Sequence, residues 1–193
     1  MQKNIILSGV GGQGILSIAA VIGAAALSEG LYMKQSEVHG MSQRGGDVQS
    51  NLRLSDRPIA SDLIPLGKAD LIISLEPMES LRYVPYLTKE GWIVTNSVPY
   101  LNIPNYPDIE KIYDELAKLP HAIVFDVESI AKQAGSVRTA NIVMLGAATP
   151  FLGIPYEKIA EGIRSIFTRK GNEIVEMNLT ALKYGQEQAQ LNH

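Results

Sequence analysis

The sequence predicts a single Rossmann-like α/β domain, a doubly wound and mostly parallel sheet flanked by helices, ending in a helical C-terminal segment. Three observations predict it. Short apolar runs rich in β-branched residues recur along the chain, at Ile5–Leu7, Leu71–Ile73, Trp92–Val94 and Ile123–Phe125. Stretches with helical spacing separate them, which is the alternation of a parallel sheet with crossover helices. The first run opens directly into a glycine-rich turn, Gly9-Val10-Gly11-Gly12-Gln13-Gly14.

Taken in order, Ile5–Leu7 is the first strand and the Ala-rich stretch Ile15–Ser28 is the helix that follows the glycine turn. Leu31–Gln35 is read as the second strand. Val48, Leu52 and Leu54 alternate with Gln49, Asn51 and Arg53. That period of two belongs to a strand with one wet or interface-facing side, and it is placed at a sheet edge. Pro77 and Pro155 sit where helices can open, and Gly91 and Gly171 where helices are expected to end. Ala140–Leu152 is apolar almost all round, so it is buried by core or by a partner. Tyr156–Phe167 and Asn172–Gln190 are amphipathic. No repeat, low-complexity tract or linker marks a boundary, so residues 1–193 are read as one domain.

Composition excludes several function classes. The apolar fraction is 46%, the charged fraction 19% and the net charge −3, so nothing points to DNA or RNA as a partner. With no cysteine, this chain cannot form a disulfide, a thiolate zinc site or a cysteine-ligated iron–sulfur cluster. The apolar run Ile15–Leu27 is shorter than the roughly 20 residues of a membrane helix. The expectation is a cytoplasmic protein without a membrane segment.

Two glycine-containing segments hold the candidate site residues. Gly9, Gly11 and Gly14 fit G-x-G-x-x-G after a strand and before a helix, with Gly12 and Gln13 inside the turn. Glycines there let the backbone approach a ligand, and a helix amino terminus offers free N–H groups and partial positive charge to a phosphate. A tight turn with no ligand is the plain alternative. A P-loop needs Lys and Ser or Thr after the last glycine, but Ile15 and Leu16 stand there, which excludes that NTPase pattern. A nicotinamide dinucleotide site needs an acid roughly 20 positions on for the ribose. Glu37 is the candidate, and a free-standing NAD(P)-binding dehydrogenase is the alternative it would support.

The second segment, Ser36 to Gly46, gathers Glu37, His39, Ser42, Arg44, Gly45 and Gly46 into a stretch too polar for a core. Arg44 can grip a phosphate or carboxylate in a bidentate way, and His39 can hydrogen-bond or exchange a proton. An interface loop in which Arg44 pairs with a carboxylate is the other reading. Glu76, Asn96 and Asp126 fall at carboxyl ends of expected strands, where helix-capping is the simpler role for Glu76.

Together the two segments resemble the gamma-type domain of the 2-oxoacid:ferredoxin oxidoreductases. Glu76-Pro77-Met78-Glu79 and Asn141-Ile142-Val143-Met144-Leu145-Gly146 are similar to that family as well. The resemblance implies a complex acting on an aryl 2-oxo acid such as indolepyruvate. Thiamine diphosphate, magnesium and iron–sulfur clusters would sit on a large catalytic subunit, with ferredoxin as electron acceptor and coenzyme A as co-substrate. It implies for this chain an accessory, partner-docking role with a coenzyme A contact, and no activity alone. Gly45-Gly46-Asp47 departs from the Gly-Asp-Gly start of a thiamine diphosphate motif, and no metal ligand is assigned.

Overall fold

The computed structural model describes residues 1–39, 46–101 and 103–191. Among them, six strands form one sheet in the order β2-β3-β1-β4-β5-β6. The strands are β1 (Gln2–Val10), β2 (Tyr32–His39), β3 (Asp47–Ser55), β4 (Ala69–Ser74), β5 (Leu87–Asn96) and β6 (Ala122–Phe125). β1, β4, β5 and β6 run parallel in succession, as the continuous apolar runs require of strands buried on both faces. The departure from a plain doubly wound sheet is the β2–β3 hairpin, which joins β1 through an antiparallel ladder from Gln2↔Ser55 to Val10↔Asp47.

Three expectations are corrected here. β3 is not an edge strand, because β2 covers its outer side. Two of its polar alternate residues bond across the sheet and to neighbouring backbone: Arg53 donates from Nε to Asn4 Oδ1 and from Nη1 to the Ser61 and Leu63 carbonyls, and the buried Asn51 donates from Nδ2 to Ser36 Oγ at 3.4 Å. The second strand does not stop at Gln35 but continues to His39, so Glu37 stands in a strand opposite Ser50 rather than in a loop. Gly91 ends no helix. It lies inside β5, where a Cβ would come within 2.7 Å of the Leu87 side chain and 3.0 Å of the Ala69 carbonyl. The β4–β5 register shifts between Ala69 and Leu71, so this glycine marks an irregularity where two backbones approach closely.

The helices are α1 (Ile15–Ser28), α2 (Pro77–Arg82), α3 (Ile109–Ala117), α4 (Val127–Gln133), α5 (Ala140–Leu152), α6 (Tyr156–Phe167) and α7 (Asn172–Leu191). One face of the sheet carries the large core, in which Ile5, Leu7, Leu71, Ile73 and Val94 pack against α1 and α4 to α7. α5 is buried without a break from Ile142 to Thr149 and again at Leu152, as its all-round apolar sequence requires. It meets α7 at glycines: a Cβ on Gly185 would lie 1.9 Å from the Val143 carbonyl, and one on Gly146 2.1 Å from that of Leu182. The other face carries a small core of Ile6, Ile64, Ala69, Ile72, Tyr83 and Ile93, next to α2.

Candidate functional site

β1 ends at Val10 and the chain turns sharply through Gly12 and Gly14, both at positive φ (102° and 85°), before α1 begins. Gly14 has a second reason to lack a side chain, since a Cβ there would meet Asn141 Nδ2 at 2.8 Å. Asn141 Nδ2 instead donates to the Gly14 carbonyl at 3.2 Å, tying the start of α5 to the turn. No side chain caps α1, so its first N–H groups keep their capacity for an anion.

Gln13 folds back into the turn. Its Oε1 accepts from the Val10 N–H at 2.7 Å and its Nε2 donates to the Leu75 carbonyl at 3.0 Å. Its amide is therefore occupied in holding the glycine loop to the end of β4. Close approach at Gly9 belongs to the same lock, because a Cβ there would lie 2.7 Å from Gln13 Oε1.

The two sequence segments do come together at the carboxyl edge. The Gly11 N–H donates to the Gly46 carbonyl at 2.9 Å, while Gly9 and Val10 pair in register with Val48 and Asp47. His39 pairs by backbone register with Val48. Ser42, Arg44 and Gly45 lie outside the described residues. Glu37 is half-buried on β2, and β3 intervenes between β2 and β1. Two strand spacings, roughly 9–10 Å, thus separate Glu37 from the strand carrying the glycine turn. A ribose acid belongs on the strand next to the glycine turn; this carboxylate is not placed for that role.

A cleft of about 740 Å³ opens beside the turn. Gln13 and Gly14 form one wall, Leu75 and Asn96 the floor at the ends of β4 and β5, and the start of α5 with the α6–α7 junction the far side. The ionisable residues lining it are Arg138, Lys170 and Glu128, a positive excess in a chain of net charge −3. Ser136 Oγ accepts from the Arg138 N–H at 3.2 Å in the short 3-10 turn before α5. Lys170 Nζ sits over the Phe167 ring, 5.3 Å from its centroid. A second cleft, of about 550 Å³ near Thr149, Gln186 and Gln190, has no charged lining residue and no glycine turn.

No local pattern in the sequence marks Arg138, Asn141 and Lys170 as site residues, although Asn141 opens the family-like stretch Asn141–Gly146. The strand-end candidates Glu76, Asn96 and Asp126 all bond to nearby backbone N–H groups. Asp126 caps α4 by accepting from the Ser129 N–H. Asn96 accepts from the Val98 and Val127 N–H groups. Glu76 caps α2 through the Glu79 N–H. Among the described residues no group of three or more His, Asp or Glu is placed to hold a metal, and the chain has no cysteine. Without cysteine the chain cannot ligate an iron–sulfur cluster through thiolates.

Residues 4–188 match the family described as pyruvate ferredoxin/flavodoxin oxidoreductase. Indolepyruvate oxidoreductase subunit IorB of Archaeoglobus fulgidus is 38% identical, over 98% of this chain and 96% of the relative. The gamma subunit of a keto/oxoacid ferredoxin oxidoreductase from Geobacter sulfurreducens superposes with a TM-score of 0.71 at 27% identity, covering 99% of this chain and 98% of that one. A 2-oxoglutarate:ferredoxin oxidoreductase from Magnetococcus marinus, solved with 2-oxoglutarate, coenzyme A and succinyl-CoA bound, shares the fold. Its TM-score is 0.78 at 22% identity, over 98% of this chain and 31% of that one.

Proposed function

This chain belongs to the pyruvate ferredoxin/flavodoxin oxidoreductase family, as a subunit of an oxidoreductase complex, and from that premise we propose its part in the reaction. The complex oxidatively decarboxylates indolepyruvate or another aryl 2-oxo acid, releasing carbon dioxide, passing the electrons to ferredoxin and the acyl group to coenzyme A. The preference for indolepyruvate rests on the 38% identity to a subunit of that name. A large partner subunit holds thiamine diphosphate, magnesium and the iron–sulfur clusters; this chain has no cysteine, and among its described residues no group of three or more His, Asp or Glu is placed to hold a metal. The complex works in the cytoplasm; among the described residues no helix is long and apolar enough to cross a membrane.

This subunit receives the phosphate-bearing end of coenzyme A, and residues 1–193 act as one gamma-type domain. The observation that carries this reading is the cleft itself. It joins an uncapped helix amino terminus and a glycine turn to two cations, Arg138 and Lys170, on other walls. Backbone N–H groups and a guanidinium are the donors that phosphate oxygens select. Gly9, Gly11, Gly12 and Gly14 shape the turn, Gln13 holds it, and Gly46 fixes the neighbouring segment against it.

The test is calorimetric titration of the wild-type chain, and of its complex with the partner, with coenzyme A and with its pantetheine half. Binding of coenzyme A that weakens with added salt, and no binding of pantetheine at the same concentrations, is expected. Equal binding of both would overturn the phosphate assignment. Co-purification with a thiamine diphosphate subunit, followed by a panel of 2-oxo acids with ferredoxin as acceptor, tests the wider reading.

A further inference from the structure

The segment between β5 and α3 has a character that ligand binding does not explain. Residues 97–107 include no Asp, Glu, Lys, Arg or His, although 19% of the chain is charged, and three of the eleven are prolines. Leu101 is 74% exposed, Tyr100 45% and Ile103 39%. Single exposed apolar residues are ordinary. Three in one uncharged segment, one of them a tyrosine, have the composition found at the centre of protein interfaces.

The segment is also held firmly from below. Glu76, with no solvent exposure, accepts at Oε1 from the Tyr106 hydroxyl at 2.5 Å and the Tyr100 N–H at 3.3 Å. The Tyr113 hydroxyl donates to the Ser97 carbonyl at 2.7 Å, and Asn96 Nδ2 donates to the Val98 carbonyl at 3.3 Å. A carboxylate is costly to bury unless its oxygens are hydrogen-bonded, and Glu76 meets that condition largely by gripping this segment. These bonds anchor Ser97, Val98, Tyr100 and Tyr106 around Leu101 and Ile103, and a segment anchored in this way loses less conformational freedom when it docks.

Its position selects the occupant. Asn96 and Leu75 line the cleft, and Asn96 Nδ2 contacts the Leu75 carbonyl as well as that of Val98. Crest and cleft therefore share one edge of the sheet. If the cleft holds the phosphate end of coenzyme A, the thiol must extend from this edge to the acyl group on the partner. Whatever carries that acyl group has to abut the same edge. We infer that Tyr100, Leu101 and Ile103 form the crest by which this chain seats on an uncharged apolar patch of the catalytic subunit, beside the mouth of the cleft.

The inference rests on the accessory-subunit reading above, and the experiment separates the two. The complex is purified, its subunits separated, and the catalytic subunit titrated with wild-type, Leu101→Asp and Leu66→Asp chains. Leu66 is 66% exposed and belongs to the 56–68 loop, which carries Asp56, Arg57, Asp62 and Lys68. Leu101→Asp should weaken association by about tenfold or more, as truncation of an interface anchor does, with the melting temperature of the isolated chain unchanged. Leu101→Ser should give a smaller loss in the same direction, and Leu66→Asp less than about a twofold change. Association of Leu101→Asp within about twofold of wild type, or equal losses at Leu66 and Leu101, would overturn the crest. Absence of any complex with a thiamine diphosphate subunit would instead overturn the accessory-subunit reading.

Discussion

The two faces of the sheet are closed by different means. On one, α1 and α4 to α7 form a continuous apolar layer in which close helix contacts depend on glycines. On the other, six buried apolar residues are supplemented by polar straps. Glu76 grips the 97–107 segment there, and Glu79 holds Arg82 through two hydrogen bonds of 2.8 and 3.1 Å. The first face gains stability from area, which tolerates little change in volume. The second gains it from individual hydrogen bonds, each of which fails when a single partner is lost. The proposed site lies where the two meet, at the carboxyl edge.

Substitutions can break this contrast, beginning with the thick face. Gly185→Ala places a methyl group where only 1.9 Å separates its position from the Val143 carbonyl, so α5 and α7 must part. A loss of about 3 kcal/mol or more is expected in denaturant unfolding. Glu76→Gln keeps the shape but sets an amide where one carboxylate accepts several donors. It should cost about 2 kcal/mol, and limited proteolysis should show the 97–107 segment cut earlier than in wild type. Equal cleavage rates would mean that the strap does not hold it.

Smaller stability effects are expected at the cleft. Gly14→Ala forces a side chain into a left-handed conformation against Asn141 and should cost about 1–2 kcal/mol, together with measurable loss of coenzyme A binding by calorimetry. Arg138→Ala should change stability by no more than about 0.5 kcal/mol and weaken coenzyme A binding by about tenfold, the loss of one charge-assisted contact. An unchanged affinity would remove Arg138 from the site. The last expectation concerns pH. Burial beside Glu79 pushes the Tyr83 hydroxyl up to about 12 from an ordinary value of 10.0. The folded state therefore holds this proton more tightly than the unfolded chain. Its contribution is intact below pH 10, and is lost as the pH rises through 12. Tyr83→Phe should flatten that part of the melting profile.

The thick face was legible in the sequence because its signals are local. Helical spacing and punctuation fixed Ile15–Ser28, Ala140–Leu152 and Tyr156–Phe167 with their observed bounds. The hairpin was not, since the same alternation in Val48–Leu54 fits an edge strand or one whose polar side is taken by Arg53 and Asn51 bonds across the sheet. Gly91 shows the same limit: a glycine at a bulge and one at a helix end look alike until the neighbouring strand is in place. At the site, the glycine turn announced itself by spacing. Arg138 and Lys170 could not, because their relevance comes from a cleft built by residues far apart in the chain. Nor could Gln13, whose amide reads as a ligand contact and acts as an internal brace.

The bond from Asn141 to the Gly14 carbonyl spans 127 positions of the chain, and the cleft draws on residues from Gly12 to Asn178. A nascent chain that has made only the first strand and helix has the glycine turn but no opposite wall. Ligand capture therefore waits on contacts of high sequence separation, which close late because their loop entropy is large. A half-made chain therefore carries the glycine turn without a cleft around it, and the complete cleft doubles as a mark of completed folding.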